Sequence, residues 1–336
     1  FVIPHIAYNW QLQNNSTVGV SVYGNGGMNT EYNAADTPDT PGGNGTFVSG
    51  TTGVNLEQLF INVSFSKMLN DKHAFGAGLI IAAQRFKAQG LDSFAPFSLD
   101  PANLSGNRSS TSMGAGLKIG YQGEVEPGMR VGVSCQSKIS MGEFDEYKGL
   151  FAEGGDFDIP STYNIGVSFD VGSSGVIVAD IQRINYTDVK AISNSVTQLI
   201  NGSCLPGPPA GPGPVGGAGC LGGANGAGFG WEDITIYKIG YQIDLGEHTL
   251  RVGYSHSDQP IPDDQTLFNI LAPAVIEEHF TAGWTMNIGS DQEFNLAAMY
   301  APAKSVKGDN PFDGGATQIE IEMTQWEIQA GWAWKY

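Results

Sequence analysis

Ser255, His256, Ser257 and Asp258 put the residue types of a hydrolase triad on four consecutive positions. A triad needs its histidine within hydrogen-bond reach of both the nucleophile and an orienting acid. In an extended segment neighbouring side chains point to opposite faces, so His256 cannot reach Ser255 or Ser257 directly. No catalytic residue is expected, and the chain does not read as an enzyme. Asp263, Asp264, Glu143, Asp145 and Glu146 are hard oxygen donors of the kind calcium takes, but their spacing follows no metal-binding loop. They read as solvated loop charge, with no metal and no cofactor.

The apolar groups say more. Segment 87–108 carries Leu91, Phe94, Phe97, Leu99 and Leu104, and segment 143–158 carries Phe144, Tyr147, Leu150, Phe151 and Phe157. Clusters of this kind in loops mark a partner or ligand, or pack the loops on one another and leave a groove. Capture of a hydrophobic small molecule is assigned to the two segments, Phe157 excepted. Val189, Ile192, Val196, Leu199 and Ile200 recur at helical spacing, which predicts a short amphipathic helix packed on a rim. The Gly/Pro-rich stretch 202–230 reads as a flexible excursion, where Cys204 and Cys220 could close a small loop in an oxidising compartment. Lys118, Lys138, Lys238, Arg251 and Lys335 fall on the polar parity of extended segments. In a low-dielectric interior such a cation would receive a ligand's carboxylate, unless an acid such as Asp170 or Asp244 pairs with it first.

The elements that must position these groups are strands. Acidic residues outnumber basic ones by 34 to 16, with no basic cluster, which excludes nucleic acid as a partner. No apolar run approaches the length of a membrane-spanning helix. Instead, apolar and polar residues alternate with period two, as in Tyr163, Ile165, Val167 and Phe169 against Asn164, Gly166, Ser168 and Asp170. Thirteen such segments are predicted, at about 1–13, 16–24, 55–68, 73–86, 109–123, 129–142, 159–171, 175–187, 231–245, 248–258, 277–289, 292–303 and 317–336.

Their connections alternate between short turns and long loops, the latter at about 25–54, 87–108, 143–158, 188–230, 259–276 and 304–316. That sorting belongs to a bacterial outer-membrane barrel, with short periplasmic turns and long external loops. The fold class is therefore all-β: one antiparallel transmembrane β-barrel over 1–336, with loops outside and Tyr336 in the periplasm. Such barrels have an even strand count, so fourteen are expected in the intact protein, with one missing at the N-terminus here. The opening at Phe1 inside a strand-like segment reads as a mature chain without its true N-terminus. In the last strand Trp326, Ile328, Ala330, Trp332, Trp334 and Tyr336 share one face, an interfacial aromatic pattern. A monomeric barrel in contact with outer-membrane lipid and lipopolysaccharide is expected.

Three stretches carry a family resemblance: Tyr23 to Thr30 (YGNGGMNT), Val54 to Phe60 (VNLEQLF), and Gly253 to Pro262 (GYSHSDQPIP) with Leu267 to Pro273 (LFNILAP). Together they resemble the outer-membrane long-chain fatty-acid transporters, whose relatives import aromatic hydrocarbons. The resemblance implies fourteen strands and an N-terminal hatch in the lumen; this chain would lack the hatch and the first strand. It implies capture between the loops 87–108 and 143–158, transfer to a lumen pocket, and lateral exit beside a kinked third strand. That strand would be 16–28, where Gly24, Asn25, Gly26 and Gly27 suit a kink because glycine accepts unusual backbone geometry.

The expected function is therefore diffusive uptake of small hydrophobic compounds, fatty acids or hydrocarbons. Two alternatives stand beside it: a general porin for polar solutes, and a non-transport barrel acting as adhesin or lipase.

Overall fold

The computed structural model describes residues 4–36, 44–211 and 213–334. Its strands are β1 (His5–Leu12), β2 (Ser16–Tyr32), β3 (Thr52–Met68), β4 (His73–Gln89), β5 (Ser110–Glu126), β6 (Met129–Gln136), β7 (Ser140–Met141), β8 (Ser161–Val171), β9 (Gly175–Asn185), β10 (Ile234–Asp244), β11 (His248–Ser257), β12 (Glu278–Ile288), β13 (Gln292–Asp309) and β14 (Gln318–Trp334). All lie in one antiparallel sheet, paired in chain order except β7, which adds two residues beside β5. No helix is long and apolar enough to cross a membrane.

The period-two pattern sorts the side chains by face. Ile165 (56% exposed), Ile239 (55%) and Trp326 (75%) point outward, and so do Tyr163, Val252 and Ile328. In water that surface would aggregate, whereas lipid accepts it, and the ladders between neighbouring strands satisfy the backbone of the inner strands without water. Trp284, Phe294, Trp332 and Trp334 form a chain of rings with successive centroids 6.0, 6.0 and 6.5 Å apart at the short-turn end. Tyr254, Phe280, Tyr300 and Trp326 form a second row, register-matched across four strands. Between them lie the aliphatic positions Leu296, Ala298, Ile328 and Ala330, so aromatic rings bracket the apolar stretch.

Six strands, β2 to β5, β13 and β14, run to 17 or 18 residues, while β8 to β12 have 10 or 11. About ten tilted residues cross a bilayer, so the long strands rise above it on the side of the long loops. The loops fold over that raised wall and share one hydrophobic core with it, from Val54 and Phe86 through Tyr147 to Leu221 and Phe268.

Several boundaries differ from those the sequence predicts. The first long loop spans 33–51 rather than 25–54, because Gly24 to Gly27 stay in β2 and keep pairing with β3. Asn25 is the extra residue of a bulge there, between the Gly24–Leu59 and Gly26–Gln58 pairs, so the chain bends without leaving the sheet. The final loop shortens to 310–317, because β13 continues past an irregularity between Ala301 and Lys304. β6 stops at Gln136, which leaves Lys138 outside the strand predicted to carry it. Lys335 and Tyr336 lie outside the described residues.

Candidate functional site

Beneath the loops is a pocket lined by Val54, Phe86, Leu91, Phe94, Leu104, Leu150, Phe151, Ala191, Leu221, Ala227, Gly228, Phe229, Phe268 and Leu271. None of these side chains is polar. Phe86, at the top of β4, anchors one wall, with ring centroids 4.8 Å from both Tyr147 and Phe151 and 5.5 Å from Phe144. Tyr147 is fully buried; its hydroxyl accepts from the Ala88 N–H at 3.0 Å and lies 3.1 Å from the Asn107 carbonyl. Loop 143–158 is thereby tied to the rising end of β4. Phe94 anchors the other wall, edge-on to Phe47 at 5.2 Å and to Phe268 at 5.3 Å. Phe312, 39% exposed, meets Phe94 at 5.9 Å and Phe97 at 5.3 Å, so aromatic rings lead from the surface to the pocket wall.

Of the nine predicted capture residues, Leu91, Phe94, Leu104, Leu150 and Phe151 line this pocket, while Phe144, Tyr147 and Phe97 pack behind it. Leu99 is the exception, 43% exposed and outside the core. The backbone of 97–99 pairs with Leu221 instead, through Leu99 N–H to Leu221 O and Leu221 N–H to Phe97 O, both 3.0 Å.

Segment 202–230, read as a flexible excursion, is in large part structural. Cys204 and Cys220 are joined by a disulfide, and Cys220, Leu221, Ala227 and Phe229 are buried. The predicted helix over 188–200 is broken into a helical turn Lys190–Ser193 and a 3-10 turn Val196–Leu199, because Asn194 and Ser195 between them are extended. Its apolar residues do not sit on a rim: Val189, Ala191, Ile192, Val196 and Leu199 enter the shared core, and only Ile200 is exposed.

Below the pocket lies a chamber of about 520 Å³ whose wall includes Asn25, Gly27, Gln58, Lys118, Phe157, Asn164, Phe229 and Trp231. The wall bulge therefore opens onto this chamber. An amide ladder crosses it, with Asn25 donating to Gln58 at 3.0 Å, Gln58 to Gln84 at 2.9 Å, and Gln84 to the Phe157 carbonyl at 2.8 Å. Further down, Gly76, Gly120, Gly132 and Gly166 with Ser66, Ser134, Asp180 and Lys238 are among the residues, polar and apolar, that surround a space of about 800 Å³. Inward glycines leave that room because they carry no side chain.

Of the five predicted cations, the four within the described residues fare differently. Lys138 pairs with Asp158 at 2.7 Å, and Lys238 with Asp180 at 3.4 Å. Arg251 bonds Gln242 and Thr285, both at 2.7 Å, and Lys118 has no carboxylate partner among the described residues. Of the acids expected to neutralise lumen cations, Asp170 is taken by Arg130 at 2.8 Å. Asp156, next to Phe157 in loop 143–158, has its carboxyl pushed up to about 7, by burial first and then by the adjacent Asp158. The serine–histidine contact that exists is Ser255 with His279 across the β11–β12 ladder at 3.5 Å, and His256 takes no part in it.

A family model described as outer membrane protein transport protein (OMPP1/FadL/TodX) matches residues 1–326. The chain belongs to this family. Known structures of similar fold include the Pseudomonas putida toluene transporter TodX, at 18% identity and TM-score 0.68 over 99% of this chain and 82% of that one. The Ralstonia pickettii toluene transporter TbuX matches at 16% identity and 0.59, over 98% and 80%. A Pseudomonas aeruginosa FadL homologue matches at 14% and 0.61, over 98% and 77%. No curated protein matches the chain. As in the family at large, the fold is an outer-membrane β-barrel and the role is transport.

Several pocket residues of this family member were not singled out by the sequence: Val54, Phe86, Ala191, Leu221, Phe229, Phe268 and Leu271. Phe86 stands near the end of β4, where period-two alternation alone assigns it to the wall, and Val54 falls at the end of the loop predicted over 25–54 but lies in β3. One signal was available for Val54, Phe268 and Leu271, which fall inside the VNLEQLF and LFNILAP stretches that carry the resemblance.

Proposed function

We propose that this chain is a passive outer-membrane channel for small hydrophobic compounds, with neutral hydrocarbons favoured over acids at the loop pocket. The observation that carries this is the pocket lining, fourteen residues without one polar side chain, covered by loops that would otherwise expose those rings. An anionic headgroup finds no partner there, and leaving it unpaired in an apolar site is costly. Lys118, lower in the chamber, is the group that could receive a carboxylate.

On this reading a solute enters past Phe312 and Phe97, rests among Phe86, Phe94 and Phe151, and moves down into the chamber. It leaves sideways at the bulge of β2. One feature favours that exit: Asn25, Gly26 and Gly27 are exposed. The loops face outward, the C-terminal end of β14 faces the periplasm, and one copy in lipid and lipopolysaccharide suffices.

The test is initial uptake of radiolabelled toluene by intact cells that have no such channel of their own, with and without this protein. Faster entry with the protein supports the reading. Entry equal to the empty-vector cells, together with sugar flux in liposome swelling, would replace it with a general porin.

A further inference from the structure

Among the described residues, Phe229 alone borders both the loop pocket and the lumen chamber. The pocket as it stands offers about 30 Å³, room for about two water molecules and too little for an aromatic ring. The chamber behind Phe229 offers about 520 Å³. A solute that reaches the pocket can be accommodated, and can go further, by displacing the ring between the two spaces.

The surroundings of Phe229 hold its backbone and leave its side chain as the moving part. Asn269, fully buried, donates to the Phe229 carbonyl and to the Gln265 carbonyl, both at 2.7 Å, and accepts from the Trp231 indole N–H at 2.5 Å. Gly228 N–H bonds Asn194 O and Trp231 N–H bonds Ile192 O, each at 3.1 Å. Gly230 has φ +70° and lies against Gln265, where a Cβ would approach the carboxamide to 2.4 Å, so only glycine fits. Gln265 is fixed in turn, accepting from Val196 N–H and donating to Ser195, both at 2.9 Å. With its amides pinned on both sides, the segment moves least at the backbone, and rotation about the Phe229 side chain is the freedom left.

We propose that Phe229 is the internal gate of this channel and that its ring sets the size of solute that passes from the loop pocket to the lumen. This rests on the channel reading above and adds the residue that selects by size. A bulkier ring at this position should slow passage, and a smaller side chain should admit larger solutes.

The experiment compares initial uptake of radiolabelled toluene and naphthalene by intact cells carrying wild type, Phe229→Ala, Phe229→Leu or Phe229→Trp, matched for folded barrel by heat-dependent gel mobility. Phe229→Ala and Phe229→Leu should raise naphthalene entry relative to toluene by about fivefold, the factor given by about 1 kcal/mol off a barrier. Phe229→Trp, which keeps the core filled, should lower toluene entry by a similar factor. If Phe229→Ala fails to fold, the Leu and Trp variants carry the comparison. Wild-type entry no faster than vector would overturn the channel reading itself. Wild-type transport with an unchanged naphthalene-to-toluene ratio in the folded variants would overturn the gate alone.

Discussion

The loop cap and the barrel wall use the same large apolar side chains in opposite ways. In the cap, Phe86, Leu104, Phe144 and Tyr147 are withdrawn from the surface, as in the core of a water-soluble protein. In the wall, Ile165, Ile239, Trp326 and Ile328 face outward while glycine and polar residues line the interior. The difference follows from what surrounds each region: water over the loops, hydrocarbon around the strands, and water again in the lumen. Hydrophobic burial and hydrogen bonding therefore act in separate places, the first holding the cap together and the second joining each strand of the wall to the next. The functional pocket lies where the two meet, on strand ends that rise out of the wall into the cap.

That contrast can be broken region by region. The largest effect is expected from Phe86→Ala, which removes the ring that three cap aromatics pack on. A buried Phe→Ala change costs about 3–5 kcal/mol, and here it falls on the cap. Proteolysis should cut loop 143–158 while the barrel keeps its heat-dependent mobility; loss of the barrel together with the cap would show that the regions are not separable. Ile239→Arg tests the wall instead. A charge on the lipid face near the midplane should cost about 2–4 kcal/mol in urea titration of folding into lipid vesicles. An unchanged midpoint would place Ile239 outside the bilayer. Next comes Cys204→Ser with Cys220→Ser, which frees a loop closed across a separation of 16 residues. A loss of up to about 3 kcal/mol, confined to the cap and visible as faster proteolysis near 204–220, is expected.

The smallest effect concerns pH. The carboxyl of Asp156 is raised to about 7 in the folded cap, above its value of about 4 in an unfolded chain. Between those values the folded state holds the extra proton, so this residue's contribution to cap stability declines as pH rises from about 4 to 7. Hydrogen exchange in loop 143–158 should accordingly quicken over that range in wild type and change less in Asp156→Asn. Equal pH dependence in both would remove Asp156 as the cause.

The wall was far more legible in the sequence than the cap. A strand with one face in lipid writes itself as alternation, and Tyr163 to Phe169 can be read without knowing any partner strand. Short turns against long loops gave the order and the up-down sense of the meander. The cap has no such period, because its core assembles from six separate segments whose contacts are long-range. Phe94 and Phe151 could be picked out as loop aromatics, but nothing local shows that they line one pocket with Phe229 and Phe268. Gly24 to Gly27 read two ways: alternation alone ends the strand at 24 and opens a loop, whereas the family resemblance keeps them in a kinked strand 16–28, and backbone pairing with β3 does hold them in the sheet as a bulge. The Gly/Pro-rich stretch misled, since glycines that look permissive, such as Gly228 and Gly230, are where the chain packs too closely for a side chain. Among the cations, strand parity found Lys118 but could not show that Lys138 and Lys238 are already paired.

The central claim is that a hydrophobic solute occupies the loop pocket, and a crystal of the protein exposed to iodobenzene tests it most directly. An anomalous iodine peak among Phe86, Phe94, Phe151 and Phe229, with the Phe229 ring displaced, is the expected result. Iodine found only on the lipid-facing surface, with the pocket unchanged, would contradict it.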